Sequence, residues 1–128
     1  WVYVTSSSSG QDFFIDKDFY KYNNNLKAVD VWDKTTKKKL FEDEHYTQSK
    51  TLTRYSCEDK SSKTLAQVSY NESGDTLRSS TKPQIDFSLI FPDSVGETIW
   101  HVVCDSRGKG FKFPTYRPKP VDIKDLGI

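Results

Sequence analysis

Methionine is absent from this 128-residue chain, and cysteine and histidine occur only twice each. Without methionine to fill gaps, the apolar volume has to come from Phe, Tyr, Trp and Val, and aromatic residues make up 14% of the sequence. Two histidines leave little material for acid–base chemistry. No G-x-S-x-G, P-loop, H-E-x-x-H or dinucleotide fingerprint occurs either. No sign of charge dominates: 19 Lys and Arg stand against 18 Asp and Glu, interspersed along the chain. That gives no electrostatic basis for binding nucleic acid or a membrane surface. No run is long and apolar enough to span a bilayer as a helix. The length suits a single domain with a modest core. Because the chain begins at Trp1 rather than Met, removal of a leader or upstream segment is expected.

What the sequence does contain is organised around Pro92–Asp105. Ser94 and Glu97 have the spacing of a capping box, in which each side chain satisfies a backbone donor of the first helical turn. Pro92 pushes residue 91 towards an extended conformation and blocks helix upstream. Val95, Ile99, Val102 and Val103 then form one apolar stripe on a helix of about three turns. Trp100 and Cys104 flank it. The other cysteine, Cys57, ends a strand-like run, so the helix is expected to lie on a sheet and to be stapled to it by Cys57–Cys104. Two cysteines in a small polar β-rich chain point to an oxidising compartment; two buried free thiols are the alternative. A closed loop of about 48 residues corresponds to at most about 4 kcal/mol of stabilisation.

The remainder reads as strands and turns. Trp1–Thr5 and Phe13–Asp16 are expected to pair as a hairpin. Asp18–Tyr22 is compatible with a strand or a single helical turn, and Asn23–Asn25 with a turn. Lys27–Asp33 alternates, with Val29 and Val31 on one face and Ala28, Asp30 and Trp32 on the other. Lys34–Lys38 is read as a turn, residues 39–42 as a returning strand, and residues 43–50 as a loop. Thr51–Cys57 puts Thr53, Tyr55 and Cys57 on one face and Leu52 and Arg54 on the other. After a charged turn at 58–63 come Thr64–Tyr70, a hairpin turn at Asn71–Asp75 with Gly74 suited to positive φ, and strands at 76–80 and 84–90. These spacings predict an α+β fold, an antiparallel meander of about six strands with one C-terminal helix packed on it.

Gly108 marks a change of character, dividing an expected domain of residues 1–108 from a tail of residues 109–128. Three prolines between residues 109 and 120 forbid a helix there. An extended tail would turn Phe111 and Phe113 to the same surface. The favoured surface is the domain's own, and the alternative is a partner docked through Phe111, Phe113 and Tyr116.

Candidate chemistry is sparse. His45 beside Glu42, Asp43 and Glu44 resembles a metal-ligand cluster, but a solvated acidic loop is the preferred reading. His101 is expected at the rim of the helix. A Cys57/His45 nucleophile needs a free thiolate, which a disulfide removes. Lys37–Lys39 is read as a solvated turn rather than a phosphate site. No catalytic set, metal or cofactor is therefore expected. The positive candidates are surfaces: Lys50, Leu52 and Arg54 on the face away from Cys57, with Trp32, and open sheet edges that accept an added strand.

The order Trp1-Val-Tyr-Val4, Phe14-Ile-Asp16, Val29-Asp-Val-Trp32, Tyr55-Ser-Cys57, Tyr70-x-x-x-Gly74 and Pro92-x-Ser94, closing at Cys104, resembles the surface-adhesin protein E family of Gram-negative bacteria over residues 1–105. The resemblance implies a small antiparallel sheet with a disulfide-tied C-terminal helix. It also implies an exported protein, lipid-anchored in some relatives, placed in the periplasm or at the outer-membrane surface. In one relative it implies an adhesin for host matrix proteins. The expectation is a non-enzymatic binding protein whose partner is a protein of the host extracellular matrix or the bacterial envelope. An accessory role in an envelope or secretion assembly is the alternative, and a small hydrolase or inhibitor is disfavoured by the missing constellation.

Overall fold

The computed structural model describes residues 1–37 and 47–114. Eight strands and one helix follow in the order β1 (Val2–Ser6), β2 (Gln11–Ile15), β3 (Lys21–Asn23), β4 (Ala28–Lys37), β5 (Gln48–Ser56), β6 (Ser61–Tyr70), β7 (Thr76–Ser80), β8 (Ser88–Leu89) and α1 (Val95–Cys104). They form one sheet in the order β1-β2-β4-β5-β6-β7, with β3 beside β4 and β8 beside β6. All seven strand pairings are antiparallel. The predicted meander is therefore present, with two short strands added to its six-strand path.

Both added strands continue an interrupted neighbour. β2 pairs with residues 33–37 of β4 and β3 with residues 28–30, so the pair covers one edge of β4 in two pieces. β7 and β8 flank β6 in the same way, at residues 67–70 and 61–62. Between them Gln84 bridges the gap. Its side-chain oxygen accepts from the Thr64 N–H at 2.8 Å, and its own N–H donates to the Thr64 carbonyl at 2.8 Å. The strand expected over residues 84–90 thus shrinks to Ser88–Leu89, because only that piece continues the ladder.

A second expectation is corrected at Lys34–Lys37. The run carries no apolar residue and reads as a turn, yet it extends β4. Its main chain is held from both sides, by β2 and by β5, and this satisfies the backbone without apolar burial. The returning strand expected at residues 39–42, and His45 with its acidic neighbours, lie outside the described residues.

The helix forms as its sequence specifies. Ser94 has extended φ and ψ, and its Oγ accepts from the Glu97 N–H at 3.1 Å. The Glu97 carboxylate reaches back to the N–H of Asp93, at 3.2 Å, rather than to that of the cap residue itself. Ile99, Val102 and Val103 bury against Val4, Ile15, Val29, Val31 and Tyr55 of the sheet. Ile15, Val29, Val31, Val102 and Val103 are sealed from solvent, each contributing about 1.5–3 kcal/mol by transfer. A register shift between Tyr3 and Thr5 lies at Val4, which is buried in this core. Three tethers hold α1 to the sheet at its C-terminal end. They are the Cys57–Cys104 disulfide, with Cα atoms 5.3 Å apart, the Trp100 indole N–H donating to the Ser56 carbonyl at 2.8 Å, and the Tyr20 hydroxyl donating to the Val103 carbonyl at 3.2 Å.

Candidate functional site

The helix covers one face of the sheet, and strand register defines what projects from the other. Residues directly opposite in an antiparallel ladder point to the same side. Trp32 pairs with Leu52, Asp30 with Arg54, and Lys34 with Lys50. With Val29 and Val31 turned into the core, these three pairs line up on the open face. The predicted surface residues Trp32, Lys50, Leu52 and Arg54 are thus brought together, each half-buried. Lys34, Trp1, Phe14 and Tyr70 join them, although no sequence pattern pointed there. The signal was a cross-strand one: Lys34 meets Lys50 only once β4 is known to run through residues that look like a turn.

The pairs differ in how they are satisfied. Arg54 forms a two-pronged contact with Asp30, Nε to Oδ1 at 2.7 Å and Nη2 to Oδ2 at 3.0 Å. That hydrogen bond, ahead of the charge attraction, raises the guanidinium pKa above its ordinary value despite partial burial. Lys34 and Lys50 face each other with no carboxylate of the described residues paired to either. Aromatic rings hold them instead. The Lys34 ammonium lies 5.1 Å from the Trp1 ring centroid and 4.8 Å from that of Phe14; the Lys50 ammonium lies 5.8 Å from Trp1 and 5.4 Å from Tyr70. Burial, and then the charge of Lys50, push the Lys34 pKa below its usual range.

The open face runs into an apolar edge. Ser56 pairs with Ser61 and Ser61 with Leu89, which places Leu89 on the same side as Arg54. Lys63, opposite Arg54, holds its ammonium 4.9 Å from the Phe87 ring centroid. Ile85, Leu89 and Phe91 are 88, 77 and 78% exposed and Phe87 is 41% exposed, whereas Ile90 turns inward against the core. Four large apolar side chains at a spacing of two, on an incompletely paired edge, make a surface that monomeric proteins seldom leave to water. The sequence does show this alternation, but it is also the signature of a buried strand face.

The titratable groups offer less. Both cysteines are in the disulfide, so neither is a thiolate nucleophile. His101, on the exposed side of α1, shares a 2.9 Å contact between Nδ1 and an Asp105 oxygen. Asp33 is the unusual group. Its Oδ2 accepts from Thr53 and Tyr55, each at 2.8 Å, while Oδ1 is closed to solvent without a partner among the described residues. Burial outweighs the two hydrogen bonds and lifts its pKa to about 7. A cleft of about 600 Å³ lies over the disulfide, walled by Tyr22, Lys27, Trp100 and Arg107.

Past Gly108 the chain returns along the domain. The Lys112 N–H donates to the Val102 carbonyl at 2.8 Å, and Phe111 and Phe113 stack at 5.5 Å and pack against the core cluster. Phe111 also meets Tyr20 edge-on at 4.9 Å. Gly108 makes this turn possible: its φ is +91°, and a Cβ there would lie 2.8 Å from the Tyr22 ring. Phe111 and Phe113 do share a surface, and it is the domain's own. Tyr116 lies outside the described residues.

The surface-adhesin protein E family model matches residues 1–105. No curated protein sequence matches the chain significantly. Among solved structures, Haemophilus influenzae protein E is similar with a TM-score of 0.57 and 15% identity, covering 86% of this chain and 89% of that one. At that identity the likeness speaks for the fold. Among the described residues no helix is long and apolar enough to cross a membrane. With the sheet, the late helix and the disulfide in place, the match over residues 1–105 establishes that this chain belongs to the surface-adhesin protein E family, adhesin-like proteins of the cell surface.

Proposed function

We propose that this chain is an exported, non-enzymatic binding protein that engages a protein partner of the host extracellular matrix or the bacterial envelope. The open sheet face and its apolar edge are the docking surface. The observation that carries this reading is the row of Phe87, Leu89 and Phe91 with Ile85, exposed at the edge of the sheet whose open face also carries the half-buried Trp32 and Leu52. Aromatic and aliphatic anchors beside an Arg are the composition of interface centres rather than of solvated surface. Family membership supports the adhesin character, and the disulfide suits an oxidising compartment outside the cytoplasm.

The test is solid-phase binding of the intact chain to a panel of purified matrix proteins and to fractionated envelope proteins. A double variant, Leu89→Asp with Phe91→Asp, is compared throughout. Saturable binding to a matrix protein, lost at least tenfold in the variant, supports the reading. Binding confined to envelope components would favour an accessory role in an envelope assembly. Binding to neither, or binding indifferent to the variant, overturns it.

A further inference from the structure

The open face is patterned along the strands as well as exposed. Its pairs run in sequence: Lys34–Lys50, then Trp32–Leu52, then Arg54–Asp30. The last pair is an ion pair closed on itself. The middle pair is apolar. The first is two cations placed side by side, an arrangement that costs stability when nothing intervenes. Cation–π contacts offset part of that cost, but no carboxylate among the described residues takes up the ammonium N–H donors.

We propose that Lys34 and Lys50 form the charge-selecting end of the docking surface, and that the partner is a protein segment presenting a carboxylate to them with an apolar side chain about 7 Å further on for Trp32 and Leu52. The spacing follows from the sheet, since alternate residues of a strand are separated by about 7 Å. Charge complementarity chooses the acid: the cation pair is the part of the face that the described residues leave without a counter-charge. The aromatic geometry argues for a carboxylate-bearing peptide over an acidic saccharide. Sugars bind aromatic residues through the ring faces, and here ammonium groups already sit against Trp1, Phe14 and Tyr70. This inference rests on the open face being the docking surface.

The probe is a synthetic dodecapeptide with a repeating Glu-x-Leu pattern, titrated into the intact chain at low salt and followed through the lysine side-chain and Trp32 indole NMR signals. Its Gln-x-Leu counterpart and a sulfated heparin octasaccharide serve as the other arms. The expected result is that the Glu peptide moves the Lys34, Lys50 and Trp32 signals and binds at least about fivefold more tightly than the Gln peptide. The preference should disappear in Lys34→Gln/Lys50→Gln, a variant whose melting temperature is measured alongside. Movement of the same lysine signals by the octasaccharide alone would replace the peptide with a glycan and overturn the proposal. It would also fail if the Glu peptide bound only after Glu42, Asp43 and Glu44 were changed to amides, because the chain's own acids would then satisfy the lysines. Equal affinity for the two peptides overturns it as well. A partner from the solid-phase assay that tolerates Lys34→Gln/Lys50→Gln but is lost with Leu89→Asp/Phe91→Asp would leave the docking surface standing and remove only the acidic-segment inference.

Discussion

The two faces of β4 show how one strand serves stability and recognition at once. Val29 and Val31 point towards α1 and are sealed. Asp30, Trp32 and Lys34, the residues between and beyond them, point the other way and stay half-open. The backbone and the neighbouring strands are the same, and only the side of the pleat differs. The covered face is satisfied within the chain by aliphatic packing, a disulfide and hydrogen bonds, with the Asp33 Oδ1 the exception among the described residues. The open face is satisfied unevenly, with one ion pair closed, one apolar pair half-exposed and one cation pair without a described counter-charge. Substitutions on the first should therefore read out in stability, and substitutions on the second in binding.

The largest stability effect should come from the staple. Replacing both Cys57 and Cys104 by Ser is expected to lower unfolding stability by up to about 4 kcal/mol. Denaturant titration by far-UV circular dichroism measures this, and the secondary structure should persist in water because the apolar stripe of α1 remains. Alkylation of the native protein should modify no cysteine; two alkylated thiols would contradict the fold itself. Next is Ile15→Ala, fully enclosed beneath the helix, expected to cost about 3 kcal/mol. The matching open-face change, Leu52→Ala, should cost less than about 1 kcal/mol. If the two costs were equal, the distinction between the faces would collapse.

Asp33 sharpens the contrast through pH. Its folded pKa, about 7, stands above its ordinary value of 3.8. Between those values the folded state holds a proton that the unfolded chain releases. Stability from this group is therefore complete at the acid end, declines as pH rises towards 7, and is level above it, with a slope of up to about 1.4 kcal/mol per pH unit. Melts from pH 4 to 8 should show this decline, and Asp33→Asn should flatten it. Removing the helix cap by Ser94→Ala is expected to cost about 1 kcal/mol. The smallest stability effect, within about 0.5 kcal/mol, should come from Leu89→Asp, even though the proposed docking surface has it weaken partner binding.

The covered face was legible in the sequence because helix capping and apolar periodicity are local signals. Ser94, Glu97 and the stripe through Val103 announce the helix without reference to anything distant, and the alternation around Val29 and Val31 announces the sheet. The open face was only half legible. Lys50, Leu52, Arg54 and Trp32 could be grouped by alternation, but Lys34 could not, because residues 34–37 are held in the sheet by partners on both sides and not by any preference of their own. Gln84–Ile90 misled in the opposite direction. Its alternation is strand-like, yet the sheet takes in only Ser88–Leu89 and leaves most of its large apolar side chains in solvent, because no layer among the described residues covers that side.

The disulfide also fixes how the molecule would carry a mechanical load. Tension applied between Trp1 and the return segment at Pro114 would run through β1 to β5 as far as Cys57. It would then cross the sulfur bridge to Cys104 and leave along residues 105–114, so residues 58–103 would lie in a covalently closed loop that bears none of it. That loop contains β6, β7, β8 and nearly all of α1, and with them the whole apolar edge from Ile85 to Phe91. Tension carried between Trp1 and Pro114 would thus strain the first five strands while the Ile85–Phe91 edge stayed slack and folded.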